Sequence, residues 1–173
     1  EFGVNRVIVL PAVSYHIDYE VSVRGTENGV IALVNDPVAA SRGIVDIGIA
    51  AMQRGGALSE ATATDARTAL RSGRDADAVG LVSAAFSRLA VDFGRYPQRI
   101  AEWFAAGPAD SGVGNVQRFL LALDTLAAAT IPAEAMPAGD ETAYLRAIQR
   151  QLADRKLLAA ELEKLGWKVI AIP

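Results

Sequence analysis

The sequence predicts a mixed α/β fold: a small mixed sheet, made of a hairpin plus strands at both chain ends, with a large helical insertion. Three observations carry this. Residues Tyr15 to Arg24 alternate, with Tyr15, Ile17, Tyr19, Val21 and Val23 on one side and His16, Asp18, Glu20, Ser22 and Arg24 on the other. That is the two-residue period of a half-buried strand. The middle of the chain is Ala-rich and punctuated by Gly-Gly, Ser-Gly and Gly-Pro pairs, as expected of successive helices. The chain closes on a helix–Gly–strand step, the return leg of a crossover, which places its strand parallel to an earlier one in the same sheet.

The elements follow in order. Asn5 to Leu10 (NRVIVL) is a β-branched run ended by Pro11, and reads as a buried strand. Tyr15 to Arg24 is the second strand, and Val30 to Val34 (VIALV) is the third. Gly25 to Gly29 between them is turn chemistry that makes the last two an antiparallel hairpin. Asp36 is placed to cap a helix that has Pro37 at its first position. Helices are then expected over Val38 to Met52, Ser59 to Arg71, Asp75 to Phe93, Gln98 to Ala105 and Val113 to Ala129. Arg42-Gly43 and Gly55-Gly56 read as breaks in this segment. Pro132 to Gly139 is a linker, and Asp140 is the expected cap of a long helix through Leu165. Tyr144, Ile148, Leu152, Leu158, Leu162 and Leu165 form the apolar stripe of that helix. Gly166 terminates it, and Trp167 to Ile172 is the last strand. The expected product is a four-stranded mixed sheet in one α/β domain or fragment over 1–173, with strands within 5–34 and 167–172 and the helical segment at 37–165.

Composition removes several function classes. Hydrophobic residues make up 51% of the chain, enough for a core and against disorder. The net charge of −3 is spread along the chain, and Arg146, Arg150, Arg155 and Lys156 alternate with acids, as on a solvated helix face. No basic footprint for nucleic acid results. There is no cysteine, which rules out disulfides, thiolate metal sites and thiol catalysis within the chain, and fits a reducing compartment, so a cytoplasmic location is expected. With a single histidine and no long apolar run, no metal, cofactor or membrane partner is expected.

The polar side of the second strand carries the candidate chemistry. His16 and Asp18 share a face about 6.6 Å apart along a standard strand. A carboxylate beside an imidazole favours its charged form and orients the ring, so the pair can move a proton and anchor a cation. The bland reading is a solvated strand face with ordinary polar residues.

The run VIVLPAVSYHIDYEVSVR followed by GVIALVNDP resembles the guanidino-group-modifying superfamily, which includes arginine, peptidylarginine and agmatine deiminases and amidinotransferases. The resemblance covers about residues 6–37, and Leu165 to Pro173 more weakly. It implies a β/α propeller of ββαβ units, of which this chain would be a part. It implies His16 as general acid/base and Asp18 as the carboxylate that grips a substrate guanidinium through paired N–H donors. The implied partners are a guanidinium-bearing small molecule or peptidyl arginine, and the missing remainder of the same protein. The cysteine nucleophile of that family has no counterpart here, nor does its further upstream carboxylate. The function expected is therefore the His-x-Asp half of a guanidine-modifying hydrolase or transferase, inactive alone. The rival is a non-catalytic helical interaction or structural domain.

Weaker candidates complete the reading. Gly112-Val113-Gly114-Asn115 looks like a phosphate loop but lacks a preceding strand and a third glycine, so a helix-start turn is the better reading. Tyr96, Trp103, Phe104 and Phe119 are expected as core anchors, with a partner-facing groove as the alternative. Asp75 and Asp77 suit the positive end of a helix.

Overall fold

The structure, a computed structural model, describes residues 21–93, 97–107, 111–136, 139 and 142–173. The predicted strand Asn5 to Leu10, the residues Tyr15 to Glu20 and Tyr96 lie outside the described residues. Among those described, the sheet has three strands: β1 (Val21–Thr26), β2 (Gly29–Asn35) and β3 (Lys168–Ile172), in that spatial order. β1 and β2 form the expected antiparallel hairpin, Val21 opposite Val34 and Thr26 opposite Gly29. The strands run further into the turn than Gly25 to Gly29 suggested, and of the Asn-Gly pair only Gly29 takes positive φ, at 125°. β3 lies parallel to β2, Ile31 opposite Lys168 and Asn35 opposite Ile172, as the closing crossover requires. The result is a mixed α/β fold with one small sheet.

Six helices lie between β2 and β3 in the described residues: α1 (Pro37–Arg54), α2 (Glu60–Arg71), α3 (Asp75–Phe93), α4 (Pro97–Phe104), α5 (Val113–Thr130) and α6 (Ala143–Lys164). Their ends follow local chemistry. Asp36 accepts hydrogen bonds from Val38 N and Ala39 N, and Ser59 from Thr62 N, so each caps the helix it precedes. α1, α2 and α6 each stop in a Schellman motif. In α6, Gly166 N donates to the Glu163 carbonyl and Trp167 N to that of Leu162, with Gly166 at φ 78°. α6 starts at Ala143 after Thr142, which makes no side-chain cap; the expected cap, Asp140, lies outside the described residues.

Arg42-Gly43 does not break the helical segment. α1 runs through it, since a glycine inside a helix costs only about 1 kcal/mol relative to alanine, and Arg42 forms an ion pair with Asp75 at the start of α3. Arg42 Nε and Nη2 each donate over 2.8 Å to the two oxygens of Asp75. This is the paired geometry that a guanidinium and a carboxylate favour.

Two packing centres result. In the helical body, α1 and α5 touch at Gly48, where a β-carbon would fall 2.1 Å from the Phe119 ring. Phe119 is fully buried among Phe86, Phe104, Ile49 and Met52, with the Phe104 ring centre 5.2 Å away. On the sheet, Leu158 and Leu162 of α6 are fully buried against Ala32 and Val34 of β2. Burying each such leucine contributes about 1.5–3 kcal/mol. Ile148 and Leu152, further up α6, pack on Ala128 of α5 and join the two centres. Tyr144, expected in this stripe, is exposed, and its neighbour Leu145 packs on that cluster instead.

Two outcomes are expected from this packing. Arg42→Ala leaves the nearly buried Asp75 carboxylate without its partner and should cost about 3 kcal/mol. Asp75→Ala should cost less, because the Arg42 side chain is 39% exposed and can hydrate. Urea denaturation of both variants checks the order. Burial pushes the Asp124 carboxyl of α5 above its ordinary range. The folded chain thus holds that proton more tightly than the unfolded chain, so ionisation opposes folding and stability rises as pH falls through the raised value. Asp124→Asn should melt higher than the parent at neutral pH, with the gain shrinking toward about pH 4; thermal melts across that range read it.

Candidate functional site

At the end of the sheet where β2 and β3 finish, the structure holds a cavity of about 420 Å³. Its walls come from Val34 and Asn35 of β2, Val169 and Ala171 of β3, the first residues of α1, the last turn of α5 and one side of α6. The cavity opens between the face of the sheet and α6, beside the point where the chain leaves β2 for α1.

Local sequence explains how the crevice is shaped. Asp36 links three elements: its N–H donates to the Ile172 carbonyl at 2.6 Å, and its carboxylate accepts from Val38 N and Ala39 N at 3.0 Å each. It therefore ties the exit of β2 to the end of β3 while starting α1. Gln149 of α6 donates through Nε2 to the carbonyls of Ala128 and Ile131, at 3.0 and 2.6 Å, and closes the end of α5. Both satisfy backbone groups that would otherwise be lost to the ladder or the helix. Pro37, Val38, Ile131, Leu152 and Ala159 supply an apolar lining. Arg155 and Lys156 supply its positive charge.

The expected site residues His16 and Asp18 lie outside the described residues, as does Glu20. The chain enters the described sheet at Val21, whose partner is Val34, so β1 begins at the end of the sheet where β2 and β3 finish. Val21 packs with the α6 cluster. Its neighbour Ser22 therefore belongs to the opposite face of the sheet, which no described helix covers.

The other candidates resolve into packing. Gly112 is the N-cap of α5 at φ 72°, and a β-carbon there would fall 1.7 Å from the Ala101 carbonyl oxygen. Asn115 Nδ2 donates to the Phe104 carbonyl at 2.8 Å. The start of α5 is thus pressed on the end of α4, the expected helix-start turn. Phe104 and Phe119 are core anchors, and Trp103 is half-buried against Gly55. Asp75 does sit at a helix start, yet its larger role is the bond to Arg42. A second hollow, of about 310 Å³, lies between α1 and α5, beside Ile44, Ile47 and the arginines 54 and 118. Among the described residues, no group of three or more His, Cys, Asp or Glu side chains could hold a metal ion, and no helix is long and apolar enough to cross a membrane.

Sequence reasoning missed the cavity. Arg155 and Lys156 look like solvated helix positions when α6 is read alone. Only the return of β3 beside β2 brings that side of α6 over the strand ends.

No protein-family model, curated protein or solved structure matches the chain.

Asp36→Ala should cost about 1–2 kcal/mol, the ordinary value of a lost helix cap. Because the cap borders the cavity, hydrogen exchange should accelerate at the amides of Val38 and Ala39 more than at the Leu158 turn of α6; equal acceleration at both would show that Asp36 does not act locally.

Proposed function

We propose that this chain carries the His-x-Asp half of a guanidine-modifying site and has no turnover alone. In this reading Asp18 grips the substrate guanidinium with both carboxylate oxygens. His16 delivers a proton to the departing nitrogen and takes one from the incoming nucleophile. The carboxylate keeps the imidazole oriented for both steps. The chain has no cysteine, so the nucleophile of this chemistry comes from another segment of polypeptide.

One observation supports the reading above the others. The described topology is strand, strand, helical segment, strand, with β1 antiparallel to β2 and β3 parallel to β2. That is the connectivity of a single ββαβ unit with an enlarged helical part. In the sequence the His-x-Asp run immediately precedes its first strand. The substrate class follows from the residues: a planar cation with paired N–H donors, as in arginine, agmatine or a peptidyl arginine.

A second reading rests on the helical body. Ile47 is 70% exposed in the middle of α1, beside the hollow shared with α5, and Leu121 and Val113 of α5 are also exposed. Such apolar positions suit an interaction domain without an active site.

Calorimetry separates the two. Titration of the chain with arginine and with agmatine should give a saturable isotherm, weakened about tenfold or more by Asp18→Ala, the loss expected when a charge-assisted hydrogen-bond pair is removed. His16→Ala should weaken binding less, since the imidazole acts on the proton and not on the cation. Identical isotherms for the parent and Asp18→Ala would overturn the guanidine reading and leave the interaction domain.

A further inference from the structure

We infer that the cavity at the ends of β2 and β3 is a binding site for a small amphipathic carboxylate. Its apolar body would lie against the strand ends and α6, with the carboxylate toward Arg155 and Lys156. This site is separate from the His-x-Asp reading and stands or falls without it.

Size is the first argument. A volume of about 420 Å³ falls within the roughly 300–1,000 Å³ of small-molecule pockets. The second is the lining. Val34, Pro37, Leu152, Ala159 and Ala171 present methyl and methylene groups from four different elements, so a ligand body that fills the space is apolar. Place is the third: the crevice lies between the face of the sheet and α6 and is walled by several elements, so a small ligand can be enclosed on more than one side.

Charge decides the head group. Among the described wall residues the one carboxylate is that of Asp36, and it is committed to two backbone N–H groups of α1 at 3.0 Å. Those bonds also withdraw the helix start as an anion-binding site. The remaining charged groups are Arg155 and Lys156, adjacent on α6. Arg155 leans on its own helix, its Nη1 3.5 Å from the Gln151 carbonyl oxygen, and it keeps its positive charge whatever else it bonds. A cationic ligand would meet the like charge of the exposed Lys156 over an apolar wall. A multiply charged phosphate would have to leave water for a surface that is mostly methyl groups. A monocarboxylate meets neither penalty: its one charge faces Lys156 at the wall, and the rest is desolvated.

The test uses the intact chain with 8-anilinonaphthalene-1-sulfonate, whose fluorescence reports an apolar anion site. Octanoate should displace the dye, while octylammonium at the same concentration should not. The double variant Arg155→Gln with Lys156→Gln should weaken octanoate about tenfold and leave displacement by octanol unchanged. Ala159→Phe, which fills the cavity from α6, should remove displacement by both octanoate and octanol, with circular dichroism melts verifying its fold. If Ala159→Phe does not fold, Lys156→Gln alone decides, since that side chain is exposed and its loss should not unfold the chain. Equal displacement by octanoate and octylammonium, or octanoate displacement untouched by the charge substitutions, would overturn the proposal. Failure of arginine to bind in the preceding calorimetry has no bearing on either result.

Discussion

The burial of Leu158 and Leu162 against Ala32 and Val34 is the contact on which the arrangement depends. A three-stranded sheet in water is marginal unless one face is covered, and here α6 is the helix whose buried leucines cover it. The same helix delivers β3, because Gly166 turns the chain directly from α6 into the strand. Covering the sheet and extending it are therefore one event. Pairing β3 with β2 closes a loop that contains every described helix, and the entropy of that closure is met by apolar burial at both of its ends.

The helical body solves a different problem. Its helices are rich in alanine, so their surfaces are shallow and the axes can approach closely. Gly48 lets the ring of Phe119 lie on the backbone of α1, and Phe86 and Phe104 fill the space around that ring. Aromatic bulk from few positions thus supplies volume that small residues cannot. The Arg42–Asp75 pair then fixes how α3 meets α1, since its two parallel hydrogen bonds tolerate little rotation.

The cavity lies at the end of the sheet where β2 and β3 finish. Asp36 is the joint: one residue ends β2, holds the last carbonyl of β3 and starts α1. Arg155 and Lys156 of α6 border the cavity at that same end. The two proposed activities ask for opposite charges. A guanidinium needs carboxylates, and the described cavity wall offers cations, so the two proposals call for different ligands.

Local chemistry made much of the fold legible before any coordinates. Period-two alternation, the Asp36-Pro37 start and the glycines after α1, α2 and α6 act over four or five residues, and they placed the described strands and helices closely. The parallel direction of β3 followed from the handedness and reach of a crossover. What the sequence alone determined is therefore whatever depends on backbone geometry and near neighbours. Three things depended on residues far apart in the chain: that Arg42 is a clamp on Asp75 and not a break, that Gly48 is a contact point, and that Arg155 and Lys156 border a cavity. Only the tertiary structure decided these, because a side chain's partner across a helix pair or a strand end is set by long-range packing, which leaves no period in the sequence.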